Sequence, residues 1–134
     1  MYRAISIAAL IIVVASCKAL FSKKITPEEL VGQYIHVDSR EGIDIPDYVE
    51  INTITLNKDY TCKFETEGNY SQSGTSEGTW SVSSDTLTMN ISTRYDPVNQ
   101  KYSSVSSVLL YRIRSGKLQF LPYNASNYEY RKVE

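Results

Sequence analysis

Two thiols, one imidazole and a loop of carboxylates are the side chains here with evident chemistry to offer, in a chain of 134 residues. His36 is the only histidine. A nucleophilic triad would need it beside a serine and an acid, and no Gly-x-Ser-x-Gly motif supplies that setting. Cys62 alternates with Phe64, so a strand would turn its sulfur inward, where thiols are inert. Asp38, Glu41, Asp44 and Asp47 form an acidic stretch with Gly42 and Pro46. Hard cations favour oxygen-rich loops, but this spacing matches no EF-hand, and the stretch reads as a solvated loop. These residues predict no catalytic group, no metal site and no cofactor.

Cys17 stands apart because of what precedes it. Arg3 gives a basic start, Ile5 to Val14 is an apolar run, and Ala15 and Ser16 are small. That order is the pattern of a secretory signal, too short to span a bilayer. Val14-Ala15-Ser16-Cys17 resembles the lipobox of bacterial lipoproteins, which implies cleavage before Cys17 and acylation of its sulfur and new amino group. The rival reading is a plain signal or an uncleaved anchor with Cys17 incidental. The lipobox reading divides the chain into a leader (1–16), a lipidated tether (17–25) and one domain (26–134). Fully extended at about 3.3–3.6 Å per residue, the tether keeps the domain within about 30 Å of the membrane.

Composition narrows the partners. Loss of the leader removes Arg3, leaving 13 Lys and Arg against 15 Asp and Glu. Charges of both signs are interleaved with no basic stripe, which argues against nucleic acid. With Cys17 carrying lipid, Cys62 has no intramolecular partner, so the fold must rest on apolar burial, for which a chain of this size suffices.

The elements that would position these residues follow from periodicity. Thr26-Pro27-Glu28-Glu29 starts a short helix: Thr26 caps, Pro27 suits the first position, and Glu29 can reach back to the cap amide. Gly32 stops it within two turns. Then the period becomes two: Leu87, Met89 and Ile91 alternate with polar residues, as do Trp80 and Val82. Strands are expected at Gly32–Val37, Tyr48–Leu56, Tyr60–Thr66, Gly78–Val82, Thr86–Ser92, Ser104–Arg114, Lys117–Leu121 and Asn127–Val133. Val49 and Ile51 are out of phase with Ile54 and Leu56, so a bulge is expected near Asn52-Thr53. Tight turns (57–59, 83–85, 115–116) alternate with long polar connections (38–47, 67–77, 93–103, 122–126). In an up-and-down meander this gathers the long loops at one end, as a mouth, and the tight turns at the other.

Four segments then show a likeness. Gly32-Gln33-Tyr34 stands where lipocalins have Gly-x-Trp after a short helix. Ile54-Thr55-Leu56-Asn57-Lys58-Asp59-Tyr60-Thr61 is similar to a hairpin that usually reads Asp-Gly-Thr, with Tyr60 in place of the glycine. Gly78-Thr79-Trp80-Ser81-Val82 with Asp85-Thr86-Leu87-Thr88-Met89 resembles the next hairpin, and Tyr128-Glu129-Tyr130-Arg131 the last strand. The chain thus resembles small lipocalin-like bacterial lipoproteins. The resemblance implies an all-β, eight-stranded antiparallel up-and-down barrel with a short N-terminal helix. It also implies that a basic residue of the last strand packs on the aromatic ring of the first, here Arg131 on Tyr34.

The expected function is non-catalytic binding of a small apolar ligand at the mouth by Phe64, Trp80, Ile91, Leu109, Phe120 and Tyr128, on a protein held by its lipid at an outer membrane and facing the periplasm. The alternative is a protein-interaction module, an inhibitor or accessory subunit, acting through the mouth loops and their Tyr70, Tyr95, Tyr102 and Tyr123.

Overall fold

The computed structural model describes residues 24–39, 49–68, 73–121 and 129–134. The leader, Cys17, most of the acidic stretch, Tyr70, Tyr123 and Tyr128 lie outside the described residues. One helical turn, α1 (Pro27–Leu30), leads into β1 (Gly32–Ser39), β2 (Val49–Leu56), β3 (Thr61–Gly68), β4 (Gly74–Ser83), β5 (Thr86–Asp96), β6 (Lys101–Arg114), β7 (Lys117–Phe120) and β8 (Glu129–Lys132). Each strand pairs antiparallel with the next, and β8 returns to β1, closing the barrel. The closing seam is short: Tyr34 faces Lys132, Ile35 faces Arg131, and the Val133 N–H donates to the Gln33 carbonyl at 2.8 Å.

The tight turns lie at the α1 end, and there the barrel is plugged. Thr26 N–H donates to Glu29 Oε2 at 3.4 Å, so Glu29 does reach back to the helix start. Leu30 is buried in the barrel core, and the Tyr34 hydroxyl donates to its carbonyl at 2.9 Å. Lys132 Nζ donates to the Glu29 carbonyl at 2.8 Å and lies 5.8 Å from the centre of the Tyr34 ring. The cation over Tyr34 is therefore Lys132. Arg131, one residue earlier, has the opposite strand parity and is exposed at the surface. Gly32 is explained by the same contact. Its φ of +145° disfavours any side chain, and a Cβ would sit 2.6 Å from the Lys132 stem.

The turn from β2 to β3 departs from its usual sequence but keeps its shape. Tyr60 holds φ at +65°, the left-handed conformation that a glycine would take there. Asp59 secures the turn by accepting from the Thr61 N–H (3.0 Å) and hydroxyl (2.6 Å), bonds that lower its carboxyl pKa.

Two expectations are corrected. β2 has no bulge: its pairing with β1 and β3 runs unbroken from Glu50 to Leu56. The strand stays in phase because Asn52, not Ile51, takes the inward position, and Ile51 is left 37% exposed. The register instead breaks at Glu77/Gly78 between β4 and β5, and between Ile91 and Thr93 on β5. Gly78 permits this, since a Cβ there would collide with the Asn90 carbonyl oxygen. The strands also run further towards the mouth than expected, through much of 67–77 and 93–103. Thr75, Thr93 and Tyr95 suit a pleated ladder. Asp96 folds the 97–100 turn by accepting from the Val98 N–H (2.9 Å), the Asn99 N–H (3.2 Å) and Asn99 Nδ2 (2.7 Å).

Candidate functional site

Strand alternation turns one face of every strand into the barrel, and burial along that face is uneven. At the plugged end and mid-barrel, Ile54, Leu56, Leu87, Met89, Tyr111 and Leu118 are sealed from solvent. Towards the mouth, Phe64, Val105, Leu109 and Phe120 pack against that core but are only partly buried. Across the ladder, the sealed Ile54 faces Phe64 and the sealed Met89 faces Leu109, and the buried Ile91 stands one inward position nearer the mouth than Met89. The partly buried inward face above the sealed base is termed the cup.

One side of the cup is polar. His36 faces Asn52 across β1 and β2, and Asn52 faces Thr66 across β2 and β3. The Thr66 hydroxyl donates to Asn52 Oδ1 at 2.9 Å, and Asn52 Nδ2 donates to Glu50 Oε1 at 2.9 Å. His36 Nδ1 bonds the Glu129 carbonyl at 3.1 Å, so the carbonyl requires a proton on that nitrogen. A triad would direct this nitrogen at an acid instead. A line of rings crosses the barrel beside it, most of it within the core. The rings of Phe120 and Tyr111 are 5.3 Å apart, those of Tyr111 and Tyr130 5.7 Å in an edge-on arrangement, and those of Tyr130 and His36 5.3 Å. This chain of rings crosses from the apolar wall to the polar one.

Phe64, Ile91, Leu109 and Phe120 thus lie together on the inward face, from mid-barrel to the mouth half. Trp80 does not. Its indole N–H donates to the Asn57 carbonyl at 3.0 Å, and its ring packs 5.2 Å from Tyr60, against the β2–β3 turn at the plugged end. The polar wall of Asn52 and Thr66 was missed in the sequence because a bulge was expected at Asn52, which moved it off the inward face. His36 was legible in principle, two residues after the inward Tyr34, but it reads as an ordinary strand residue.

Cys62 is buried and free, and burial pushes its thiol up to about 11. Burial likewise holds the Tyr34 hydroxyl at about 12 and raises that of Tyr111. These groups stay neutral at physiological pH and belong to the core. Among the described residues, no three His, Cys, Asp or Glu side chains are grouped to hold a metal.

Comparison with known proteins gives one finding. Residues 24–110 match the family model of the lipocalin-like domain, a span from the approach to α1 into β6. No curated protein and no solved structure matches the chain.

Proposed function

The chain belongs to the lipocalin-like domain family, and from that premise we propose that it binds a small apolar ligand, without catalysis, in the cup at the barrel mouth. The partial burial of Phe64, Val105, Leu109 and Phe120 on the inward face of the mid-barrel and mouth half carries this reading: a fully filled barrel would seal these apolar side chains. Phe64, Ile91, Leu109 and Phe120 supply the apolar contact. Asn52, Thr66 and His36 offer hydrogen bonds to one polar end of the ligand. The lipobox-like leader supports a lipid anchor at Cys17 on a bacterial envelope membrane, with a periplasmic setting. Two or three acyl chains, at ~0.8 kcal/mol per buried CH₂, would hold it durably. Because α1 enters at the plugged end, the mouth would then point away from the anchoring membrane.

A neutral naphthylamine fluorophore titrated into the full chain tests the cup. Saturable enhancement is expected, lost in Leu109→Asp, which sets a charge in the apolar wall. Trp80 emission, which reports on the plugged end, should be unchanged in that variant. An intact fold with no saturable signal would overturn the cup. The anchor is tested by mass and fractionation: Cys17→Ala should lose its acyl groups and leave the membrane.

One observation favours a second reading, a protein contact at the mouth. The β5–β6 hairpin exposes Val98 and Tyr102 by 67% and 65%, and the rings of Tyr95 and Tyr102 pack 4.8 Å apart. A Tyr102→Ser chain that binds the fluorophore normally but loses a co-purifying protein would favour it.

A further inference from the structure

The outer face near the plugged end carries an arrangement that a free-standing barrel would avoid. Arg114 of β6 faces Lys117 of β7, and Lys117 faces Arg131 of β8. Three directly opposed neighbours on three adjacent strands are therefore all cations. Their strand neighbours Ile113, Leu118 and Tyr130 point inward and are buried, which turns the row outward. Arg112 extends the row on the same face of β6. Like charges directly opposite one another destabilise a sheet. Glu129 offsets part of this, bonding Lys117 Nζ at 2.7 Å, and the nearby Lys117 and Arg131 hold its carboxyl below the usual range. Arg112, Arg114 and Arg131 are exposed at the surface. A cleft of about 270 Å³ opens among Arg114, Ser115, Lys117, Gln119 and Glu129.

We propose that this row is a docking surface for the anionic phosphates of lipid headgroups, and that it seats the barrel, plugged end down, on the membrane that anchors it. Charge complementarity selects the occupant, since a row of cations that repel one another is relieved by a surface of phosphates. Position selects it too. The row lies at the tight-turn end, the end at which the chain enters through residues 24–26 and α1, so an anchor at Cys17 would bring the row within a tether's length of the headgroups. This part rests on the anchor proposed above. Seated in this way, the barrel would keep its mouth open to the aqueous side instead of swinging freely on its tether.

The test uses the full chain carrying Cys17→Ser, which forms no acyl anchor, floated with vesicles of phosphatidylcholine alone or with about 30% phosphatidylglycerol at about 0.1 M salt. Binding should favour the anionic vesicles. Arg114→Gln/Lys117→Gln/Arg131→Gln should cut that preference at least about fivefold, because each cation near a charged surface contributes appreciably. The lysines of the tether are present in both chains, so the drop is the readout. Arg114→Gln/Arg131→Gln, which leaves the Lys117–Glu129 bridge intact, should show most of the drop with no fall in urea midpoint. An unchanged preference in both folded variants would overturn the proposal. So would inorganic phosphate binding at the row while vesicles of either composition bind alike, since the anion would then be a soluble one. The anchor is judged separately, by the mass of the wild-type chain: absence of acylation would refute the anchor without touching the vesicle result.

Discussion

The two ends of the barrel use the same inward alternation to different ends. Near the plug, Leu56, Leu87 and Leu118 are sealed, α1 covers them, and Leu30 joins them. Towards the mouth, Phe64, Leu109 and Phe120 hold equivalent inward positions and stay half-open, facing a wall of Asn52 and Thr66. A cap of four helical residues, Pro27–Leu30, marks the plugged end. Stability would therefore concentrate at one end and binding at the other, a division that substitutions can break or sharpen.

The largest effect should come from truncating one residue at each end. Leu118→Ala opens a cavity in a sealed site and should cost about 2–5 kcal/mol, read as a lower urea midpoint. Phe64→Ala removes a partly buried ring and should cost roughly 1–2 kcal/mol in stability while weakening fluorophore binding strongly. If Phe64→Ala destabilises as much as Leu118→Ala, the mouth half is as filled as the base, and the cup is lost as an idea.

Much of this division was legible in the residues. Alternation in Leu87-Thr88-Met89-Asn90-Ile91 gave a strand and its inward face, and the alternation of tight with long connections gave the two ends. What escaped was settled by partners distant in sequence. Trp80 stands three residues before the tight 83–85 turn, which already marks it as near the plugged end, but its partner is not legible there. That partner is the Asn57 carbonyl, 23 residues away. Lys132 and Arg131 are adjacent cations, and which one crosses Tyr34 depends on the β1–β8 register. The Ser- and Thr-rich 67–77 and 93–103 look like loops until neighbouring strands extend the ladder through them. The missing bulge has the same origin: a hydrophobic pattern out of phase can be repaired by a bulge or by turning Ile51 outward, and only the pairing decides between them.

A second contrast lies in titration. Burial at the closed end raises Cys62 from 9.0 to about 11 and Tyr34 from 10.0 to about 12. Below about pH 8 both groups are protonated in the folded and unfolded chain and contribute no pH dependence. Above it the unfolded thiol ionises first while the folded one does not, so stability should fall, by up to about 1.4 kcal/mol per pH unit for each such group. The decline should begin near pH 9, steepen past pH 10 as Tyr34 joins, and level for these two groups at about pH 12. Cys62→Ala should move its onset up by about one unit, read as the slope of urea midpoint against pH. An onset unmoved by Cys62→Ala would mean that the thiol is not sealed in the folded chain.

The smallest effect separates two neighbouring cations at the barrel seam. Lys132 lies over Tyr34 and donates to the Glu29 carbonyl, so it ties α1 to both the first strand and the last. An exposed cation on an aromatic ring is worth ~0.5–1 kcal/mol, and the bond to a carbonyl at the helix end adds a comparable amount. Lys132→Ala should therefore lower stability by about 1–2 kcal/mol. It should also loosen α1, seen as faster exchange of the Glu29 amide, which bonds the Thr26 carbonyl. Arg131→Ala, one residue away, should leave the urea midpoint within about 0.5 kcal/mol, because its side chain points outward from the seam. It stands in a row of like charges, so a slight gain is the expected sign. If Arg131→Ala is the costlier of the two, the β1–β8 register is shifted by one residue from that described, and the plug is held by a different contact.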